Sequence, residues 1–129
     1  LVEMARQGYD GALWALRKLL TKFPKFAPQA FILAEDSLLS ENAQVREQAV
    51  GIIVKLRKVK ETEAALLKSA ETFVDEFTLN ALTEASATIL PRLEKLKKRF
   101  TPEGVEYQDL ERTINAIEEK QHTLLAEAA

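Results

Sequence analysis

Carboxylates stand side by side in this chain at Glu35-Asp36, Asp75-Glu76 and Glu118-Glu119. Two acids can share general acid–base work only when both reach one substrate atom. Adjacent residues on a helix diverge by about 100°, so these pairs belong to a solvated surface. The single imidazole is His122, and there is no cysteine. Disulfides and thiolate metal centres are therefore excluded, and a histidine-based site would need ligands from elsewhere. His122 has no Cys, Ser or second His beside it, and it is expected on the exterior of a C-terminal hairpin, beside Gln121. No glycine-rich phosphate loop, HExxH pair or nucleophile elbow occurs. The expectation is a non-enzyme with no metal and no cofactor.

Cations cluster at two places. Lys55, Arg57, Lys58 and Lys60 close one apolar-periodic segment, and Arg92, Lys95, Lys97, Lys98 and Arg99 close another. Grouped Lys and Arg make the electrostatic footprint of a phosphate-binding surface. Both clusters sit where helix carbonyls attract cations, and acids follow each, Glu61 and Glu63 or Glu103 and Glu106. With a net charge of −2, nucleic-acid binding is the second reading, and no substantial affinity is expected at physiological salt. The aromatics Tyr9, Trp14, Phe23, Phe26 and Phe31 crowd the first third of the chain. Trp14 falls off the 12–16–19–23 apolar stripe, so its indole is expected at the surface, where tryptophan anchors protein partners. Trp14, Phe26 and Phe31 are the candidate partner contacts. The alternative is that a helix over 1–7, or the C-terminal segment, covers the indole.

The elements that must position these residues are helices. Apolar content is 47%, and Gly and Pro number 4 each among 129 residues. That is enough for a core and too few turn formers for a β-fold. Helices are expected over roughly 1–7, 10–23, 28–40, 43–59, 61–76, 78–99 and 103–127. Asp10, Asn42 and Thr101 are candidate N-caps, while Pro28 and Pro102 suit first helical turns. No apolar run approaches the roughly 18–20 residues of a membrane span, and no signal peptide is visible. Leu1 is not an initiator methionine, so the chain reads as a piece of a longer, intracellular (cytoplasmic) protein.

Tyr9-x-x-Ala12-x-x-x-Leu16-x-x-Leu19-Leu20-x-x-x-Pro24 resembles the second helix of a tetratricopeptide repeat with its terminal proline. Leu33-Ala34 then fall where the next repeat carries its small-residue pair, and Ala49-x-x-x-Ile53-x-x-Leu56 resembles another second helix after an insertion in the turn. The resemblance covers about residues 8–57. The family's first-helix Trp is replaced near Ala30, and a second proline is missing near Glu61. Val45-Arg46 with Ala49 and Leu56 fits a HEAT-like repeat almost as well, and an ordinary bundle accommodates the same residues. The resemblance implies a scaffold whose concave surface holds a peptide or another protein.

Toward the C-terminus, Leu79, Leu82, Ser86, Ile89, Leu93, Leu96 and Phe100 alternate steps of three and four. So do Tyr107, Leu110, Ile114, Ile117, Gln121, Leu124 and Ala128. Each is a coiled-coil seam. Folding about residues 101–104 would place the one polar residue of each seam, Ser86 and Gln121, in a shared hydrogen-bonded layer. Pro91 is expected to bend the first arm near Ala87.

The combined expectation is an all-α fold: short antiparallel helices in a repeat-like stack or bundle, ending in a long antiparallel hairpin over 78–129, within a single domain 1–129. Its expected work is non-catalytic protein–protein interaction or scaffolding. The partner would be another protein or another domain of the same polypeptide, with no membrane. Accessory nucleic-acid association through the basic helix ends and homodimerisation through the seams are the alternatives.

Overall fold

A computed structural model describes the backbone of residues 10–128 and the side chains of 13–128; the expected helix over 1–7, Tyr9 and the Asp10 cap lie outside them. The described residues form an all-α fold of seven α-helices with no strand. These are α1 Asp10–Leu19, α2 Ala27–Ser37, α3 Ala43–Lys55, α4 Glu63–Phe73, α5 Glu76–Leu82, α6 Leu90–Lys97 and α7 Val105–Ala128. Short 3₁₀ turns at Pro24–Phe26, Lys60–Thr62 and Ala87–Ile89 lead into α2, α4 and α6.

Helix α3 is the hub. Val45, Ala49, Val50, Ile52 and Ile53 are all buried, a width of apolar surface that only a helix covered on several sides can satisfy. It packs against α1, α2 and α5. Ala30 and Ala34 of α2 and Ala49 of α3 have no exposed surface; their small side chains let the helices approach closely. The Asn42 side chain accepts from the backbone N–H of Gln44 (2.9 Å) and Val45 (3.4 Å), the expected N-cap of this helix. Pro28 occupies the first turn of α2, also as expected. The buried apolar side chains from Leu13 to Ile117 form one cluster.

The C-terminal part differs from expectation. The anticipated helix over 78–99 is two helices, α5 and α6, separated by residues 83–89. Pro91 lies in the first turn of α6: its missing N–H and fixed φ start a helix there instead of bending one. Ser86 is extended at that break, and its N–H (2.6 Å) and Oγ (2.9 Å) both donate to the Glu63 carboxylate. Gln121 is exposed. The Ser86–Gln121 layer is therefore not formed; the carboxylate of α4 takes the place of the amide. What survives is a shorter pairing of α6 with α7, with Ile89, Leu93, Leu96, Leu110, Ile114 and Ile117 buried. Leu82 is buried while Leu124 is 58% exposed, so that layer does not close either. Helix α5 instead crosses α7 nearer its start, where the buried Thr113 hydroxyl lies 3.5 Å from the Leu79 carbonyl oxygen. Helix α7 begins at Val105, after a turn closed by the Gly104 N–H to the Thr101 carbonyl (2.9 Å), so Thr101 and Pro102 lie in that turn, not at the helix start.

Candidate functional site

Helix α1 presents Trp14, Arg17 and Lys18 to solvent on one edge, and α3 presents Gly51, Val54 and Lys55 beside them. Together these six residues line a surface hollow of about 410 Å³, within the lower part of the ~300–1,000 Å³ range of ligand pockets. Each helix contributes residues at the spacing i, i+3, i+4, which brings three side chains to one face. Trp14 is 53% exposed and Val54 46% exposed. The Lys18 ammonium sits 5.4 Å from the centre of the indole, within cation–π range.

Gly51 leaves room on α3 for the end of the Arg17 side chain. A Cβ there would lie 2.5 Å from an Arg17 guanidinium nitrogen and 2.6 Å from its central carbon. The guanidinium thus rests on the bare α3 backbone, and its Nη1 reaches the Gln48 side-chain oxygen at 3.5 Å. A glycine inside a helix is destabilising by about 1 kcal/mol relative to alanine; here it makes room for a cation.

A second hollow of about 380 Å³ adjoins the first, with Val54 in the wall of both; Arg57, Val59, Lys60 and Glu84 complete it. Arg57 follows the C-cap of α3 with φ of 57°, left-handed backbone usually given to glycine. The Lys58 N–H closes the helix end on the Ile53 carbonyl at 3.0 Å. Lys60 and Lys120 both act on Glu84. The Lys120 hydrogen bond (2.9 Å) and its charge, with a smaller contribution from Lys60, hold the Glu84 carboxyl below its ordinary value.

Of the residues singled out from the sequence, Trp14 and Lys55 share the first hollow, and Arg57 and Lys60 line the second. Lys58 pairs with Glu61 at 3.2 Å. Phe26 and Phe31 are half-buried against the core and do not line the hollow around Trp14. Phe26 meets the Phe23 ring edge-on, with centres 6.3 Å apart. In the second cation cluster, Arg92 pairs with Glu71 on α4 and Lys97 with Glu94 at 3.2 Å. That hydrogen bond, with the nearby charges of Glu94, Tyr107 and Glu111, raises the Lys97 pKa despite its partial desolvation. Lys95, Lys98 and Arg99 are exposed. The adjacent carboxylates do not converge: Asp75 turns to Arg46, and Glu35, Asp36, Glu118 and Glu119 are exposed. His122 is exposed on the end of α7. No group of His and acidic side chains among the described residues is placed to hold a metal ion.

The sequence reading missed Arg17, Lys18, Gly51 and Val54. Their signal was present in the matching triplets 14–17–18 and 51–54–55, which become one surface only once α1 is known to pack on α3. Compared with protein families, curated proteins and solved structures, the chain gives no significant match.

Proposed function

We propose that this chain is a non-catalytic protein–protein interaction domain, serving as a scaffold or adaptor element, and that it docks its partner in the α1/α3 groove around Trp14. The observation that carries this reading is the half-exposed indole lining a groove together with Gly51 and the exposed Val54. Tryptophan and arginine dominate the energetics of protein interfaces, and an anchor of this kind contributes about 2 kcal/mol or more. No helix among the described residues is long and apolar enough to cross a membrane. The tetratricopeptide- or HEAT-like resemblance remains part of the proposal, as a scaffold reading of α1 to α3.

The nucleic-acid reading draws on Lys55, Arg57 and Lys60, which line the two hollows, beside an aromatic on which a base could stack. Against it stand the local pairing of Arg92 and Lys97 and the overall charge of −2. Capture from cell lysate, with and without nuclease, separates the two. Under the protein reading, the wild-type chain retains a partner after nuclease treatment and Trp14→Ala loses it, with affinity lowered roughly 30-fold or more. Retention that vanishes with nuclease, or that Trp14→Ala leaves untouched, contradicts the proposal.

A further inference from the structure

Arg17, Lys18 and Lys55 ring the Trp14 hollow, and Arg57 stands at its neighbour. Among the described residues, none of these cations forms an ion pair with a carboxylate; the Arg17 guanidinium meets the neutral Gln48 amide and Lys55 donates to the Thr21 hydroxyl. Elsewhere on the molecule, Arg46, Lys58, Arg92, Lys97, Arg112 and Lys120 all have acidic partners. Among the described residues, Lys95, Lys98 and Arg99 also form no ion pair; the groove cations differ from these in standing beside the exposed indole and Val54.

One feature of the groove and one of its neighbour place a cation at a local conformational cost. Gly51 in mid-helix admits the Arg17 guanidinium onto the backbone. Arg57 occupies left-handed backbone at φ 57°, a conformation that disfavours a non-glycine residue by about 1–2 kcal/mol.

Resting on the interaction reading above, we propose that the groove's partner is an acidic protein segment. One of its carboxylates engages the Arg17 guanidinium while a neighbouring apolar side chain covers Trp14 and Val54. A guanidinium matches a carboxylate through paired N–H donors, and the flanking lysines add field without fixing geometry. The exposed Val54 and indole favour a polypeptide over a polyanion without side chains, because an apolar side chain is what covers them.

Trp14 is the chain's only tryptophan, so its emission reports occupancy directly. The test is a fluorescence titration of the full chain with a synthetic peptide of glutamates and leucines at helical spacing, its glutamine counterpart, and a single-stranded oligonucleotide. The proposal expects the glutamate peptide to shift the emission, to weaken with added salt and to bind at least about tenfold more tightly than the glutamine peptide. Arg17→Gln should weaken it about ten- to a hundredfold, the range for a hydrogen-bonded charge. Gly51→Ala, which pushes Arg17 off its seat, should weaken it in the same direction, while Lys98→Gln should not. Equal binding of the glutamate and glutamine peptides would overturn the acidic partner and leave the groove reading standing. No emission change with any of the three would sink the groove reading itself. Tighter binding of the oligonucleotide than of the glutamate peptide would overturn the proposal in favour of nucleic acid.

Discussion

Arg46 is 5% exposed, the one charged residue buried in the core among the described residues. Its Nε donates to Asp75 Oδ2 at 2.7 Å, its Nη2 to Oδ1 at 3.2 Å and its Nη1 to the Ser40 carbonyl at 2.8 Å. The guanidinium also lies 3.8 Å from the Phe73 ring centre. It ties the α2–α3 loop to the α4–α5 loop and fixes α3, the helix that carries half of the groove. Asp75→Ala should destabilise the fold by about 3–5 kcal/mol, because it strands a buried cation. Urea unfolding measures this, and a loss below about 1 kcal/mol would mean that the cation reaches water. At the edge of the second hollow, the lowered Glu84 pKa predicts a carboxyl titration midpoint below that of an ordinary glutamate, moving upward in Lys120→Met. The depressed pKa means that the contribution of this group is present above the ordinary carboxylate range and lost as pH falls through the folded value. Carboxyl-resolved NMR titration checks both statements. The sequence made neither pair legible, because their partners are 29 and 36 residues apart and nothing local marks them.

At the scale of elements, two of the starts marked by a cap or a proline are kept, while Thr101 and Pro102 fall in the turn before α7. Asn42 and Pro28 mark starts that the structure keeps. Periodicity failed where a long-range contact decided the outcome. The 78–99 seam has a continuous three–four rhythm, yet Glu63 draws Ser86 out of the helix and Pro91 opens a new one. The ends of α3 and α4 were placed too late for a related reason. Arg57 and Val74 take left-handed backbone, φ 57° and 43°, although neither is the glycine that announces such a stop. Arg57→Gly should therefore raise stability by about 0.5–1 kcal/mol through relief of the backbone, read as a higher thermal midpoint, while weakening acidic partners. Unchanged stability would mean that the helix end carries no strain. Gly51→Ala should likewise stabilise α3, by about 1 kcal/mol at most, since the clash falls on a flexible side-chain end. A destabilised Gly51→Ala protein would show that the Arg17 seat is a packing requirement of the fold.

In the whole molecule, the helices divide between holding and presenting. Helices α4 to α6 and the first part of α7 bury their apolar faces. From Glu118 to Ala128 every side chain of α7 is exposed, including Leu124 and Leu125. Truncation after Lys120 should accordingly shift the thermal midpoint little, within the ±0.5 kcal/mol of surface changes; a larger loss would mean that this end packs somewhere. The α1/α3 side instead carries an indole, an exposed valine and cations without acidic partners among the described residues. Aromatics in the first third suggested such a surface, but only Trp14 of the three candidates lines it, because Phe26 and Phe31 turn toward the core. Under the proposed function, a protein partner lies in the α1/α3 groove. Photo-crosslinking from a benzoylphenylalanine placed at Val54, against the same group at Asn115 on the exposed face of α7, measures that directly. The predicted result is a nuclease-resistant protein adduct from position 54 that is absent from position 115 and abolished by Trp14→Ala. Adducts formed equally from both positions, from position 115 alone, or with nucleic acid at position 54 would contradict the account.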